Sequence, residues 1–214
     1  MKIMSIELVI WDYNGTLTDD LPRVTRAVNI FLNEFSIPPA TEEEVACYDG
    51  DIWRFYRERH INLPKAEIGG RVFEIYSALP DPLYLMPGAV EILERIKKPQ
   101  VLVTKHPAHL TEREIDELGI RKYFAQIRGG VHDKTTVLSQ LCRERNIDPS
   151  GSVIIGDRGE DIKEGQLAGT KVIAIPGYHP RHILEQHHPD YLVDSLAQVY
   201  DCIYERFGGK EIDV

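Results

Sequence analysis

Short apolar runs at 6–11, 101–103, 153–155 and 171–175 are each followed by a stretch in which apolar residues recur every three to four positions. Fully buried parallel strands have this uninterrupted apolar character. The stretches between them carry the helical period: Ala89, Ile92, Leu93 and Ile96; then Val137, Leu138 and Leu141; then Leu196, Val199, Tyr200, Ile203 and Tyr204. Strand and helix in alternation predict an α/β fold built on a doubly wound parallel sheet. Gly119 and Gly169 fall just past helical patterns, where a left-handed residue ends a helix, and Asp148-Pro149-Ser150-Gly151 is a turn into the next strand.

Residues 21–85 break this rhythm, because no β run occurs there and one helical pattern follows another. Val24, Ala27, Val28, Phe31, Leu32 and Phe35 share one helical face, and Thr41 with Glu44 forms a capping box. Pro64 suits the first position of a last helix carrying Ile68, Val72, Ile75 and Leu79. The reading is a small all-helical domain, residues 21–85, inserted into a core made of 1–20 and 86–214. Prolines at 82 and 87 stiffen its return into the core. A chain of 214 residues is long enough for one full core plus such an accessory unit. Trp53, Phe55 and Tyr56 read as the insertion's own core, and Glu42, Glu43 and Glu44 as a solvated first turn.

Lys and Arg number 25 against 34 Asp and Glu, a net charge of −9 with no basic stripe, which argues against a nucleic-acid partner. No apolar run approaches the roughly 20 residues that span a bilayer, so no membrane partner is expected. The opening segment reaches Asp12 before a signal peptide's apolar stretch and cleavage site could be completed. Cys47, Cys142 and Cys202 are odd in number and far apart, which suggests neither a disulfide framework nor a zinc site. These features predict a cytoplasmic protein.

In open α/β sheets ligands bind beyond the carboxyl ends of the strands, so the residues that end each apolar run are the informative ones. The first run ends in Asp12-Tyr13-Asn14-Gly15-Thr16, and the second in Thr104 followed by Lys105. Lys134 opens a helix after Gly129-Gly130, and another run ends in Gly156-Asp157 with Asp161 four residues on. Two acidic loops converging with a lysine and a hydroxyl between them suit a hard cation and a phosphate together.

Asp12-x-x-Gly15-Thr16-Leu17 after a buried strand, Thr104, Lys134 and Gly156-Asp157-x-x-x-Asp161, in that order, resemble the haloacid dehalogenase superfamily. The position of the helical insertion, Pro87-Gly88 and the stretch from Pro189 to Ser195 are similar to its phosphoglycolate-phosphatase-like branch. The resemblance implies a Mg²⁺-dependent phosphatase acting on a small phosphorylated metabolite under a mobile helical cap. It implies Asp12 as the nucleophile that becomes an aspartyl-phosphate. Asp157, Asp12 and the backbone carbonyl of Asn14 would hold Mg²⁺, with Asp161 steadying it. Thr104 and Lys134 would bind the phosphoryl group together with Gly15 and Thr16; Lys105, next to Thr104, competes for the lysine's part.

Phosphatases of this superfamily carry a second aspartate two residues after the nucleophile, whereas this chain has Asn14. An amide keeps the hydrogen-bonding shape but exchanges no proton near neutral pH. Losing a general acid/base slows a reaction by roughly 10²- to 10⁴-fold, so turnover should be slow, or biased towards substrates whose leaving group needs no proton, and Asn14→Asp should raise it. A competing reading follows: a weakly active or inactive relative that binds a phosphorylated ligand or partner. A dehalogenase would keep Asp12 but has no need of the phosphate and metal set. A receiver domain, which also combines Asp, Thr and Lys around Mg²⁺, needs only about half this length. His60, His106 and His132 are expected at the surface, where one could supply the missing proton transfer. His179, His182, His187 and His188 are expected in a solvated loop and short helix.

Overall fold

A computed structural model describes residues 5–47 and 52–208. Its centre is a six-stranded parallel sheet in the order β5-β4-β1-β6-β7-β8. These strands are β1 (Leu8–Trp11), β4 (Gln100–Val103), β5 (Gln126–Arg128), β6 (Ser152–Gly156), β7 (Lys171–Ala174) and β8 (Tyr191–Leu192). Alternate side chains point to opposite faces. Val9, Trp11, Leu102, Val153 and Ile155 therefore pack with α5 (Ala89–Arg95) and α10 (Leu196–Asp201). Leu8, Ile10, Val101, Val103 and Ile154 pack on the other face with α7 (Lys134–Arg145), α8 (Gly159–Ala168) and Leu184 of α9 (Arg181–Glu185). The doubly wound α/β sheet is thus borne out.

The two strands of this sheet that the sequence reading passed over, β5 and β8, are its edges. Each is three residues or fewer, half-buried, and too short or polar to form an apolar run.

Residues 21–78 hold α1 (Leu21–Glu34), α2 (Glu42–Ala46), α3 (Ile52–Glu58) and α4 (Lys65–Ala78). They enclose their own apolar cluster of Ala27, Val28, Phe31, Leu32, Val45, Phe55, Tyr56, Ile68, Ile75 and Tyr76. Leu110 of α6 (Ala108–Glu117), from the sheet part of the chain, completes that cluster. The Thr41–Glu44 capping box is present, with Glu44 N–H donating to Thr41 Oγ1 and Thr41 N–H to Glu44 Oε2.

Three local expectations need correction. Phe35 lies past the end of α1 and is 42% exposed, because the helix stops one residue before it. Pro64 is the residue before α4, with φ −55° and ψ 142°, and the helix begins at Lys65. The joints of the insertion are also not free of β structure: β2 (Thr18–Asp19) and β3 (Tyr84–Leu85) pair antiparallel, and Met86 N–H donates to Leu17 O.

Candidate active site

Register brings the strand ends together. Trp11 of β1 pairs with Leu102 of β4 on one side and with Ile155 of β6 on the other. One step beyond, the Asp12 N–H donates to Ile155 O at 2.9 Å, so Asp12, Thr104 and Asp157 emerge at the same end of adjacent strands. Asp12, Thr104 and Asp157 are all buried.

Lys134, the first residue of α7, is buried between two carboxylates. Its Nζ donates to Asp12 Oδ1 at 2.5 Å and to Asp161 Oδ1 at 2.6 Å. Burial alone would lower the ammonium's pKa, but Asp12 and Asp161 outweigh it and hold the lysine charged. Burial pushes Asp12 up to about 6, opposed by Lys134 and reinforced by Asp161. Asp157 is pushed well above the carboxylate range by burial and then by Asp12. Burial would likewise raise Asp161, but Lys134 prevails and holds it below its usual value.

One ligand oxygen from each of Asp12, Asp157 and Asp161 can be chosen so that all lie within 4.8 Å of one another. Asp12 and Asp161 share the Lys134 ammonium, and the Arg158 guanidinium lies beside Asp157. Three buried carboxylates this close carry more negative charge than the neighbouring cations balance, and a small oxygen-loving dication would supply the rest. The residues fit Mg²⁺.

The loop after β1 is built around Asp157. Thr16 Oγ1 donates to Asp157 Oδ1 at 3.0 Å and the Tyr178 N–H donates to Oδ2 at 2.6 Å. Gly15 has φ +78°, and a Cβ there would lie 2.3 Å from Asp157 Oδ2. Only glycine permits both this left-handed turn and this approach. Thr16 therefore serves Asp157 here, and Lys105 Nζ donates to Glu164 Oε1 at 2.9 Å while its charge also helps hold Asp161 down.

Asn14 makes a contact that its sequence neighbourhood did not announce. Its Nδ2 donates to Asp20 Oδ2 at 2.6 Å, while the hydroxyls of Tyr178 and Tyr76 reach Asp20 Oδ1 at 3.0 Å and Oδ2 at 3.4 Å. Burial pushes the Asp20 carboxyl up to about 6, against the Tyr178 hydroxyl, His106 and the Asn14 amide. Asp20 and Tyr178 were missed. A signal was present for the first, an acidic residue six positions after the amide, but only the folded loop makes it meaningful.

Two histidine expectations are overturned. His106 is buried, its Nε2 3.2 Å from Glu114 Oε2 and its ring against those of Tyr13, Phe73 and Tyr76. His179 is fully buried and its Nδ1 accepts the Gly159 N–H at 3.0 Å. His60 and His132 are exposed, as expected. Cys47, Cys142 and Cys202 are free thiols, and no helix among the described residues is long and apolar enough to cross a membrane.

Comparison with known proteins gives a consistent set of matches. The family model described as haloacid dehalogenase-like hydrolase matches residues 9–175. A phosphoglycolate phosphatase of Chromobacterium violaceum is 29% identical over 222 residues, covering 95% of this chain and 99% of that protein. One from Haemophilus influenzae (strain Rd) is 28% identical and covers 92% and 98% respectively. Among solved structures, a predicted phosphoglycolate phosphatase from Haemophilus somnus 129pt superposes with a TM-score of 0.78 at 22% identity, over 92% of this chain and 97% of that one. CbbY from Rhodobacter sphaeroides, in complex with phosphate, gives 0.72 at 24% identity, over 91% and 96%.

Proposed function

The chain belongs to the haloacid dehalogenase-like hydrolases, and on that premise we propose that it is a Mg²⁺-dependent phosphatase of small phosphomonoesters with Asp12 as nucleophile. The observation that carries this reading is the Asp12 carboxylate, buried at a strand end and held on Lys134 beside Asp157 and Asp161.

In the proposed reaction Asp12 attacks phosphorus as the bond to the leaving oxygen breaks, and water then hydrolyses the aspartyl-phosphate. Lys134 orients Asp12 and offers positive charge to the phosphoryl oxygens, and Thr104, at the end of β4, offers its hydroxyl. Mg²⁺, held by Asp12, Asp157 and the Asn14 carbonyl, would disperse the charge that builds on the phosphoryl group. The relatives named phosphoglycolate phosphatase make phosphoglycolate the first substrate to try. Mg²⁺-dependent phosphate release across a panel of small phosphomonoesters tests the reading, and silence on every member would refute it. A second reading, a binding protein that seldom turns over, is favoured by one observation: the residue two after Asp12 is an amide pinned to Asp20. The free thiols suit the reducing cytoplasm.

Metal binding should depend more on Asp157 than on Asp161. Asp161 is already engaged by Lys134 and by the Arg158 N–H at 3.2 Å, a supporting position. Such supporting residues typically contribute about 10- to 100-fold in metal affinity. Calorimetric Mg²⁺ titrations should show a loss in that range for Asp161→Ala and a larger one for Asp157→Ala. Equal affinities in the two variants would remove the assignment.

Residues 21–85 are proposed to act as a cap on a core of 1–20 and 86–214, hinged at 18–21 and 81–88. Arg23 fastens the returning joint: its guanidinium donates to the carbonyls of Tyr76, Leu79 and Asp81 at 2.8–3.3 Å. Hydrogen bonds from a charged donor contribute about 1.5–3 kcal/mol. Arg23→Ala should therefore lower Tm and make 79–88 the first segment cut in limited proteolysis, with a phosphate analogue slowing the cut. Unchanged cleavage at that segment would argue against a hinge there.

A further inference from the structure

We infer that Asn14 and Asp20 work as one unit, Asp20 being the positioning residue that sets which face Asn14 offers to substrate. The inference deepens the phosphatase reading and rests on it.

Asp20 directly precedes α1, where an aspartate ordinarily turns its carboxylate onto the first N–H groups of the helix. Here the side chain makes no such bond. It turns inward instead, 1% exposed, and gathers the Asn14 amide, the Tyr178 hydroxyl and the Tyr76 hydroxyl. Those three donors come from three places: the loop that carries the nucleophile, the loop whose Tyr178 N–H holds Asp157, and α4 of the helical insertion. A local capping bond has been given up for a contact that ties the site to the insertion.

The chemical consequence lies in the amide's two ends. With Nδ2 committed to Asp20, Asn14 keeps Oδ1, which accepts hydrogen bonds and can orient a water or a protonated leaving group. Released from Asp20, the amide could turn over and present a donor instead. A carboxylate at position 14 would have no N–H to give Asp20 and would set two negative charges at hydrogen-bond distance, a repulsive arrangement. The gain expected for Asn14→Asp from sequence alone is therefore reduced unless residue 20 changes too. In the exchanged pair, Asn14→Asp with Asp20→Asn, the amide at 20 can donate to the carboxylate at 14, and the same contact is made in mirror image.

The test is a four-member cycle: parent, Asn14→Asp, Asp20→Asn and the double exchange. Each is assayed for kcat and KM on phosphoglycolate and on p-nitrophenyl phosphate with Mg²⁺, and each is melted. The exchange should raise kcat on the alkyl phosphate by roughly 10²- to 10⁴-fold over the parent, and by less on the aryl phosphate, whose leaving group needs little protonation. Asn14→Asp alone should gain at least about tenfold less than the exchange and melt below it. Asp20→Asn alone should lower kcat with KM little changed. Equal gains for Asn14→Asp and the exchange, or no gain from the exchange while the parent turns over, would overturn the inference and leave the phosphatase reading standing. If no member, parent included, releases phosphate, the phosphatase reading falls, and the inferred catalytic role of the pair falls with it. Additive effects on melting would overturn the pairing in either case.

Discussion

Asp12→Asn is expected to lower steady-state phosphate release by at least about 10⁴-fold, the scale on which removing a covalent nucleophile acts. The fold should survive. Asparagine has almost the same shape, and its amide oxygen can still accept from Lys134, which also keeps its bond to Asp161 at 2.6 Å. The substitution removes one of three crowded carboxylates, and burial already pushes the Asp12 carboxyl up to about 6. Tm should hold or rise, which separates loss of chemistry from loss of structure. The parent, quenched in acid during turnover, should yield a peptide containing Asp12 heavier by one phosphoryl group, and the variant should yield none. Turnover that persists in Asp12→Asn, or a phosphoryl group found on another residue, would move the nucleophile elsewhere.

What the sequence disclosed follows the range of the interaction involved. The buried strands β1, β4, β6 and β7 show as apolar runs because both faces of each are covered, and polar residues occur only at their first positions, as Gln100, Ser152 and Lys171 do. The edges β5 and β8 lie half in solvent and left no such mark. The Thr41–Glu44 box was legible because it closes within three residues. Asp12, Asp157, Asp161 and Lys134 were legible because each stands at the end of a run or the start of a helix, and the topology brings those ends together. The loop after β1 was not. The resemblance gives Thr16 a part at the phosphate, and nothing in the sequence shows that its hydroxyl donates to a carboxylate 141 positions away. Asp20 meets Asn14 only once the turn in which the Leu17 and Thr18 N–H groups donate to Tyr13 O folds the chain back. His106 and His179 sit in polar stretches that predict a surface, and burial with Glu114 and the Gly159 N–H reverses that expectation. Polar residues lose their pattern when partners are distant, because periodicity records which faces are covered and not who pairs with whom.

Lys134→Met should cost more stability than any other single substitution at the site, about 3–5 kcal/mol in metal-free buffer, the usual penalty for breaking a buried ion pair. The lysine stem is already 98% buried, so methionine adds little apolar burial and the change is almost wholly electrostatic. Asp12 and Asp161 lose the cation that lies 2.5 and 2.6 Å from them, with Asp157 close by. Saturating Mg²⁺ should recover part of the loss, because a cation bound only by the folded state stabilises it by mass action. That recovery distinguishes this variant from a simple packing defect, on which Mg²⁺ would have no special effect. Activity should fall even where Mg²⁺ restores folding, since a metal on the carboxylates does not replace an ammonium aimed at both nucleophile and phosphoryl group. Chemical denaturation with and without Mg²⁺ measures the first effect and phosphate release the second. A loss under about 1 kcal/mol without metal would mean that the Lys134 pairing is solvent-screened, as surface ion pairs are.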